Sequence, residues 1–131
     1  MGPTVDLDLT WERDLVFHGR TGALEITLDG HGKEAVSPVQ TLAFALASCM
    51  ASDLVLILTR GRQPLDGLVA RLHAQRAETD PRRLLRVELH FELKGAVPPD
   101  KVQRAIDLSR QTYCSVWHSL RPDIELVVTA A

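Results

Sequence analysis

Apolar and polar residues alternate along the first part of the chain. Val5, Leu7, Leu9 and Trp11 interleave with polar neighbours, Leu15 and Phe17 form a shorter pair, and Leu24, Ile26 and Leu28 alternate against Glu25, Thr27 and Asp29. A period of two sends alternate side chains to opposite faces, so three half-buried strands are expected. His18-Gly19-Arg20-Thr21-Gly22 reads as the turn between the second and third, and Asp29 to Glu34 as a polar loop.

The pattern then changes. Ser37 can cap a helix, Pro38 suits its first position, and Gln40 can complete a capping box. A helix is predicted from Pro38 to about Arg60, ended by Gly61. It would be about 35 Å long at ~1.5 Å per residue. Its residues are apolar nearly all round, from Leu42, Phe44, Leu46 and Met50 to Leu54, Val55, Leu56, Ile57 and Leu58. Length alone suits a membrane span. Ser48, Ser52 and Asp53 interrupt the middle, however, and a buried central helix is the expectation. A small domain cannot cover such a helix on every side, which points to a partner subunit.

Beyond it, Leu68 to Ala77 alternates moderately and Leu84 to Lys94 clearly, with Leu85, Val87, Leu89, Phe91 and Leu93 on one face. Pro98-Pro99-Asp100 opens a second helix, expected to kink and continue through Tyr113-Cys114-Ser115-Val116-Trp117 until Pro122 stops it. Ile124, Leu126 and Val128 form a last strand. The order βββ-α-ββ-α-β is that of an α+β fold, because strands come in consecutive groups. With no repeat or linker in its 131 residues, the chain is expected to form a single domain.

Composition narrows the function mainly by exclusion. A formal net charge of −2, without a basic stripe or acidic tail, gives no reason to expect nucleic acid or a membrane surface as partner. No charged-then-apolar leader is present, so a cytoplasmic location is expected. No glycine-rich phosphate loop, nucleotide signature or Ser/His/Asp motif appears, and no cofactor is expected. Two cysteines, Cys49 and Cys114, are too few for a disulfide scaffold. By count alone they read as buried apolar residues, metal ligands or redox groups.

Several segments together resemble the OsmC/Ohr family over almost the whole chain. They are Ser37-Pro38, then Ala45-Leu46-Ala47-Ser48-Cys49 with Asp53, then Leu108-Ser109-Arg110-Gln111-Thr112-Tyr113-Cys114-Ser115-Val116, and more weakly Trp11 to Phe17. The resemblance implies an intertwined homodimer whose central helices are wrapped by sheets from both chains. It also implies a thiol-dependent peroxidase that reduces organic hydroperoxides in oxidative stress defence. Carried over, Cys49 is the peroxidatic thiol and Cys114 the resolving one, and an external dithiol completes the cycle.

A free thiol titrates near ~8.5, so the attacking one needs help to ionise. Cys49 lies well inside its helix, where the dipole gives little. Family peroxidases use an N-terminal arginine, for which Arg20 is the candidate and Arg13 the second. The acid that pairs with it stands at the positions occupied here by Val39 or Gln40, and neither is acidic. Gln40 could hydrogen-bond the arginine unless capping occupies it, and Glu34 could substitute from the preceding loop. On the substrate side the candidates are Phe44, as lining of an apolar pocket, and Gln40.

Asp53 reads either as a partner for a site arginine or, more simply, as one half of a structural ion pair or hydrogen bond. His118, four residues after Cys114, admits a metal reading only if three or four ligands converge, and no CxxC or HxxxH pattern supports it. His18, His31, His73 and His90 read as surface residues. The alternative function is a non-catalytic dimeric module that binds a small apolar ligand or senses oxidants.

Overall fold

The computed structural model describes residues 1–131, arranged as two compact units, Met1–Leu42 and Ala43–Ala131. In the first, β1 (Asp8–Arg13), β2 (Val16–Thr21) and β3 (Leu24–Asp29) form an antiparallel meander. The turn expected at His18–Gly22 is shorter than the sequence suggested. His18 to Thr21 belong to β2, and only Gly22 and Ala23 separate Thr21 from its partner Leu24. Gly22 has φ +59°, which lets two residues reverse the chain.

The meander has a sharply two-sided composition. Leu9 and Ile26 flank Gly19 in register, and a side chain at Gly19 would stand 3.0 Å from Ile26 and 3.5 Å from Leu9. The glycine lets these two side chains close over β2. Leu7 and Leu24 extend the same face into an apolar trough. The alternation in β1 therefore reads correctly, but its burial does not: all six residues of β1 are exposed, Trp11 at 66% and Leu9 at 51%. Three strands have one apolar face and nothing of their own to lay on it.

Asp29 ends β3 and is buried, only 3% exposed. Its carboxylate accepts N–H bonds from Glu34 and Lys33 on one oxygen and from His31 on the other. Those bonds, Glu34's foremost, hold its carboxyl below the ordinary value and fold the loop that leads to α1 (Pro38–Arg60). The helix starts with the expected capping box: Gln40 N–H donates to Ser37 Oγ, and Ser37 N–H to Gln40 Oε1.

In the second unit β4 (Gly67–Arg76), β5 (Leu84–Lys94) and β6 (Glu125–Ala130) form one sheet in that order. β4 and β5 are antiparallel, whereas β5 and β6 run parallel. A parallel pair needs a crossover, and α2 (Pro99–Leu108), a π-helical turn (Ser109–Tyr113) and α3 (Ser115–His118) supply it. The core of this unit draws on Leu46, Met50, Leu54 and Leu58 of α1, Val87, Leu89 and Phe91 of β5, and Val102, Ala105 and Ile106 of α2.

The helix α1 matches its expected bounds, but in one chain its burial is narrower than expected. Only the i, i+4 row Leu46–Met50–Leu54–Leu58 is buried. Phe44, Val55 and Leu56 stay exposed, at 65%, 41% and 46%. By length and hydropathy α1 would suit a membrane span, with 22% of its apolar window buried.

Gly95, which follows β5, has φ +116°, and a Cβ there would stand 1.9 Å from the Pro64 carbonyl oxygen. The same turn carries the bond from Asp66 N–H to the Lys94 carbonyl. Gly95→Ala is expected to cost roughly 2–4 kcal/mol through backbone strain and displacement of the Pro64 segment. Urea denaturation followed by circular dichroism measures it, and an unchanged midpoint would contradict this account of the turn.

Candidate functional site

Cys49 and Cys114 come together in the second unit. Cys49 is part-buried in the middle of α1, Cys114 is wholly buried, and the two thiols are near enough for Cys49 to act on the ionisation of Cys114. Neither is in a disulfide. The approach of Cys114 is made by a change of helical pitch. The regular α2 ends at Leu108, and from Ser109 the backbone follows π-helical spacing, closed by Cys114 N–H donating to the Ser109 carbonyl at 2.8 Å. At Cys114 the backbone turns extended (φ −73°, ψ 97°), which is the expected kink. The chain re-enters a helix at once, and Trp117 N–H donates to Cys114 Sγ at 3.4 Å, so the sulfur caps α3.

Ser109 joins this cluster from the side. It is fully buried, and its hydroxyl donates to Asp53 Oδ2 at 2.7 Å. Asp53 stands one helical turn after Cys49, on the same side of α1. The simpler of the two readings of Asp53, a hydrogen bond to a neighbouring segment, is the one the structure contains. Ser109 is the residue that sequence reasoning missed. The available signal was the carboxylate itself, since a part-buried Asp53 needs a partner.

Burial pushes the Cys114 thiol up to about 11. The Trp117 N–H opposes this, while the Cys49 thiol and the Asp53 charge add to it. At neutral pH Cys114 therefore keeps its proton. His118 does not join the thiols: its Nε2 meets the Arg110 carbonyl at 2.9 Å.

The other candidates lie elsewhere in the chain. Arg20, in the first unit, is in a strand rather than a turn. It pairs with Glu25 Oε1 at 2.8 Å, directly opposite in register, and His18 Nε2 reaches the same oxygen at 3.4 Å. Glu34 pairs with Arg13, not Arg20. Gln40 is committed to the capping box. In the second unit Phe44 is largely exposed on α1.

Residues 30–129 match the family model described as OsmC-like protein. The chain belongs to the OsmC-like family. It is 38% identical over 109 residues to Protein YhfA of Escherichia coli K12, a span that covers 81% of each chain. A hypothetical protein from Aquifex aeolicus VF5 superposes with a TM-score of 0.92 at 24% identity, covering 99% of this chain and 96% of that one. An organic hydroperoxide resistance protein from Elizabethkingia anophelis gives 0.73 at 22% identity, covering 100% and 97%. The βββ-α-ββ-α-β order is thus the OsmC-like fold, with two small sheets and a long central helix.

The raised Cys114 value has a thermodynamic consequence for this family member. Between the ordinary thiol value of 9.0 and about 11, the unfolded chain loses a proton that the folded chain keeps. The contribution to stability is complete below pH 9 and is lost as pH rises through 11. Under reducing conditions, the unfolding free energy of the native chain should fall more steeply over that window than that of Cys114→Ala, which lacks the buried thiol. Urea melts at several pH values test this, and parallel slopes would refute it.

Proposed function

We propose that this OsmC-like protein is a thiol-dependent peroxidase acting on organic hydroperoxides. The observation that carries the reading is the pair of neighbouring free thiols, one part-exposed and one buried and protonated. The Cys49 thiolate attacks the distal peroxide oxygen, the O–O bond breaks, and the alcohol leaves after taking up a proton. Cys49 is left as a sulfenic acid. Cys114 then closes a disulfide with release of water, and an external dithiol reduces that disulfide. The organic hydroperoxide resistance protein among the structural relatives supports the same chemistry by likeness of fold.

In this reading Arg20 favours the Cys49 thiolate, a role taken from the family resemblance. Its present pairing with Glu25 is compatible with that role, because a surface ion pair is weak and readily exchanged. The alternative function, a non-catalytic module that binds an apolar ligand or senses oxidants, draws on the commitment of Gln40 to capping. That leaves no acid at the start of α1 to hold the arginine.

The deciding experiment is anaerobic reduction, addition of one equivalent of cumene hydroperoxide, then free-thiol count and intact mass. Loss of two thiols with two hydrogens is expected, and unchanged thiols favour the module. Cys49→Ser should abolish peroxide consumption. Cys114→Ser should react once, give a dimedone adduct on Cys49, and overoxidise in excess peroxide. Arg20→Ala should slow the first reaction about tenfold at neutral pH, the effect of one pKa unit on thiolate population. Adducts on Cys114 rather than Cys49 would reverse the assignment.

The assembly proposed with this function is a homodimer. The apolar face of the meander (Leu7, Leu9, Leu24, Ile26) and the flank of α1 (Phe44, Val55, Leu56) are exposed in one chain and would be covered by a second copy. Light scattering at micromolar concentration should give twice the 14.5 kDa chain mass. A monomeric mass would count against it.

A further inference from the structure

The carboxylate beside the thiols presents a puzzle that the peroxidase reading leaves open. A negative charge next to a reactive cysteine opposes its ionisation. Yet Asp53 is one turn from Cys49, part-buried, and fixed by a short bond from a fully buried hydroxyl. Ser109 also supplies the carbonyl that receives the Cys114 N–H at 2.8 Å. One residue therefore ties the segment carrying Cys114 to the helix carrying Cys49 and closes the π-helical turn that delivers the second thiol.

We propose that Asp53 and Ser109 form a latch that docks Cys114 on Cys49 and casts Cys114 as the thiol that closes the disulfide. This inference rests on the redox reading above. Both are positioning residues. The Ser109 hydroxyl has one proton to give and gives it to a charged acceptor, so the bond is of the stronger, charge-assisted kind. Without it, the carboxylate would lack its partner and the π-helical turn its only side-chain tie to α1 among the hydrogen bonds of Ser109.

The docked thiols are placed for the second step of the chemistry. Cys114 sulfur attacks the sulfur of the Cys49 sulfenic acid, the S–S bond forms and the S–O bond breaks. The Cys49 sulfur is reduced to the disulfide level as the Cys114 sulfur is oxidised to it. The departing hydroxide needs a proton, and the one on Cys114 leaves with it as water. Cys114 must give up its proton for its sulfur to attack, and that proton is the one the departing hydroxide takes up.

The test compares the full-length chain with Ser109→Ala and Asp53→Asn. After one equivalent of cumene hydroperoxide in the presence of dimedone, the ratio of Cys49 adduct to Cys49–Cys114 disulfide reports docking, whatever the rate of the first step. Ser109→Ala should raise this ratio about tenfold, the scale of one lost hydrogen bond to a charged group. Asp53→Asn keeps an acceptor but not the charge. Its ratio should stay within about threefold of the native value, while Cys114, followed by thiolate absorbance in a Cys49→Ser background, should titrate at lower pH. A native ratio in Ser109→Ala, or an unmoved Cys114 titration in Asp53→Asn, overturns the latch. If Ser109→Ala does not fold, Asp53→Ala must show the same rise in the ratio, and a native ratio there overturns the latch equally. Should the native chain consume no peroxide, the redox reading fails by itself. The latch is then read from disulfide equilibrium in a glutathione buffer. There Ser109→Ala should lower the effective concentration of the thiol pair about tenfold, and an equal value in both chains overturns the proposal.

Discussion

A helix of 23 residues that is apolar on most of its surface is buried along only one row in this chain. The second unit uses one row, Leu46–Met50–Leu54–Leu58, to build its core. Everything else about α1 is arranged around that row. Cys49 and Asp53 each precede a member of it by one residue, about 100° round the helix, and so stand at the edge of the core rather than within it. That position is useful for chemistry. A thiol at the centre would be inert, and one on the open flank would have no neighbour to meet.

The two cysteines differ because their elements differ. Cys49 occupies an unbroken stretch of α1, where backbone hydrogen bonding is complete and its place is fixed by the helix. Cys114 lies where regular hydrogen bonding fails: a π-helical turn ends on it, an α-helix begins on it, and its own sulfur receives a backbone N–H. Complete burial raises its pKa more than that single N–H lowers it. A backbone break is also the kind of place at which a short segment can shift without unfolding its neighbours.

Much of this was legible in the sequence where periodicity or terminus chemistry is strong. The bounds of α1 follow from Ser37, Pro38 and Gly61, and those of β5 from strict alternation. What was not legible depends on tertiary partners. Alternation in β1 predicts a face but not what covers it, so Leu9 and Trp11 read as half-buried when one chain leaves them exposed. The segment His18 to Gly22 reads as a turn in the sequence, whereas Gly19 serves close packing within the sheet and only Gly22 turns the chain. The bond from Ser109 to Asp53 joins residues 56 positions apart, and no local pattern encodes it.

At the start of α1 the capping box carries glutamine rather than glutamate. A capping box accepts either glutamate or glutamine at its fourth position, because what the cap requires is a side-chain carbonyl oxygen within reach of the Ser37 N–H. Gln40 meets that requirement and brings no charge. The stability of the helix start is thus uncoupled from any ion pair with an arginine. The counter-charges come instead from the sheet and the loop, Glu25 for Arg20 and Glu34 for Arg13. Arg20 and Glu25 are side by side in register on the polar face of the meander, both exposed, with His18 sharing the carboxylate. An arginine so placed is aligned by backbone pairing rather than by a buried acid, and water and salt compete for it throughout. An anion competing for Arg20 would therefore meet only a weak, exposed partner in Glu25.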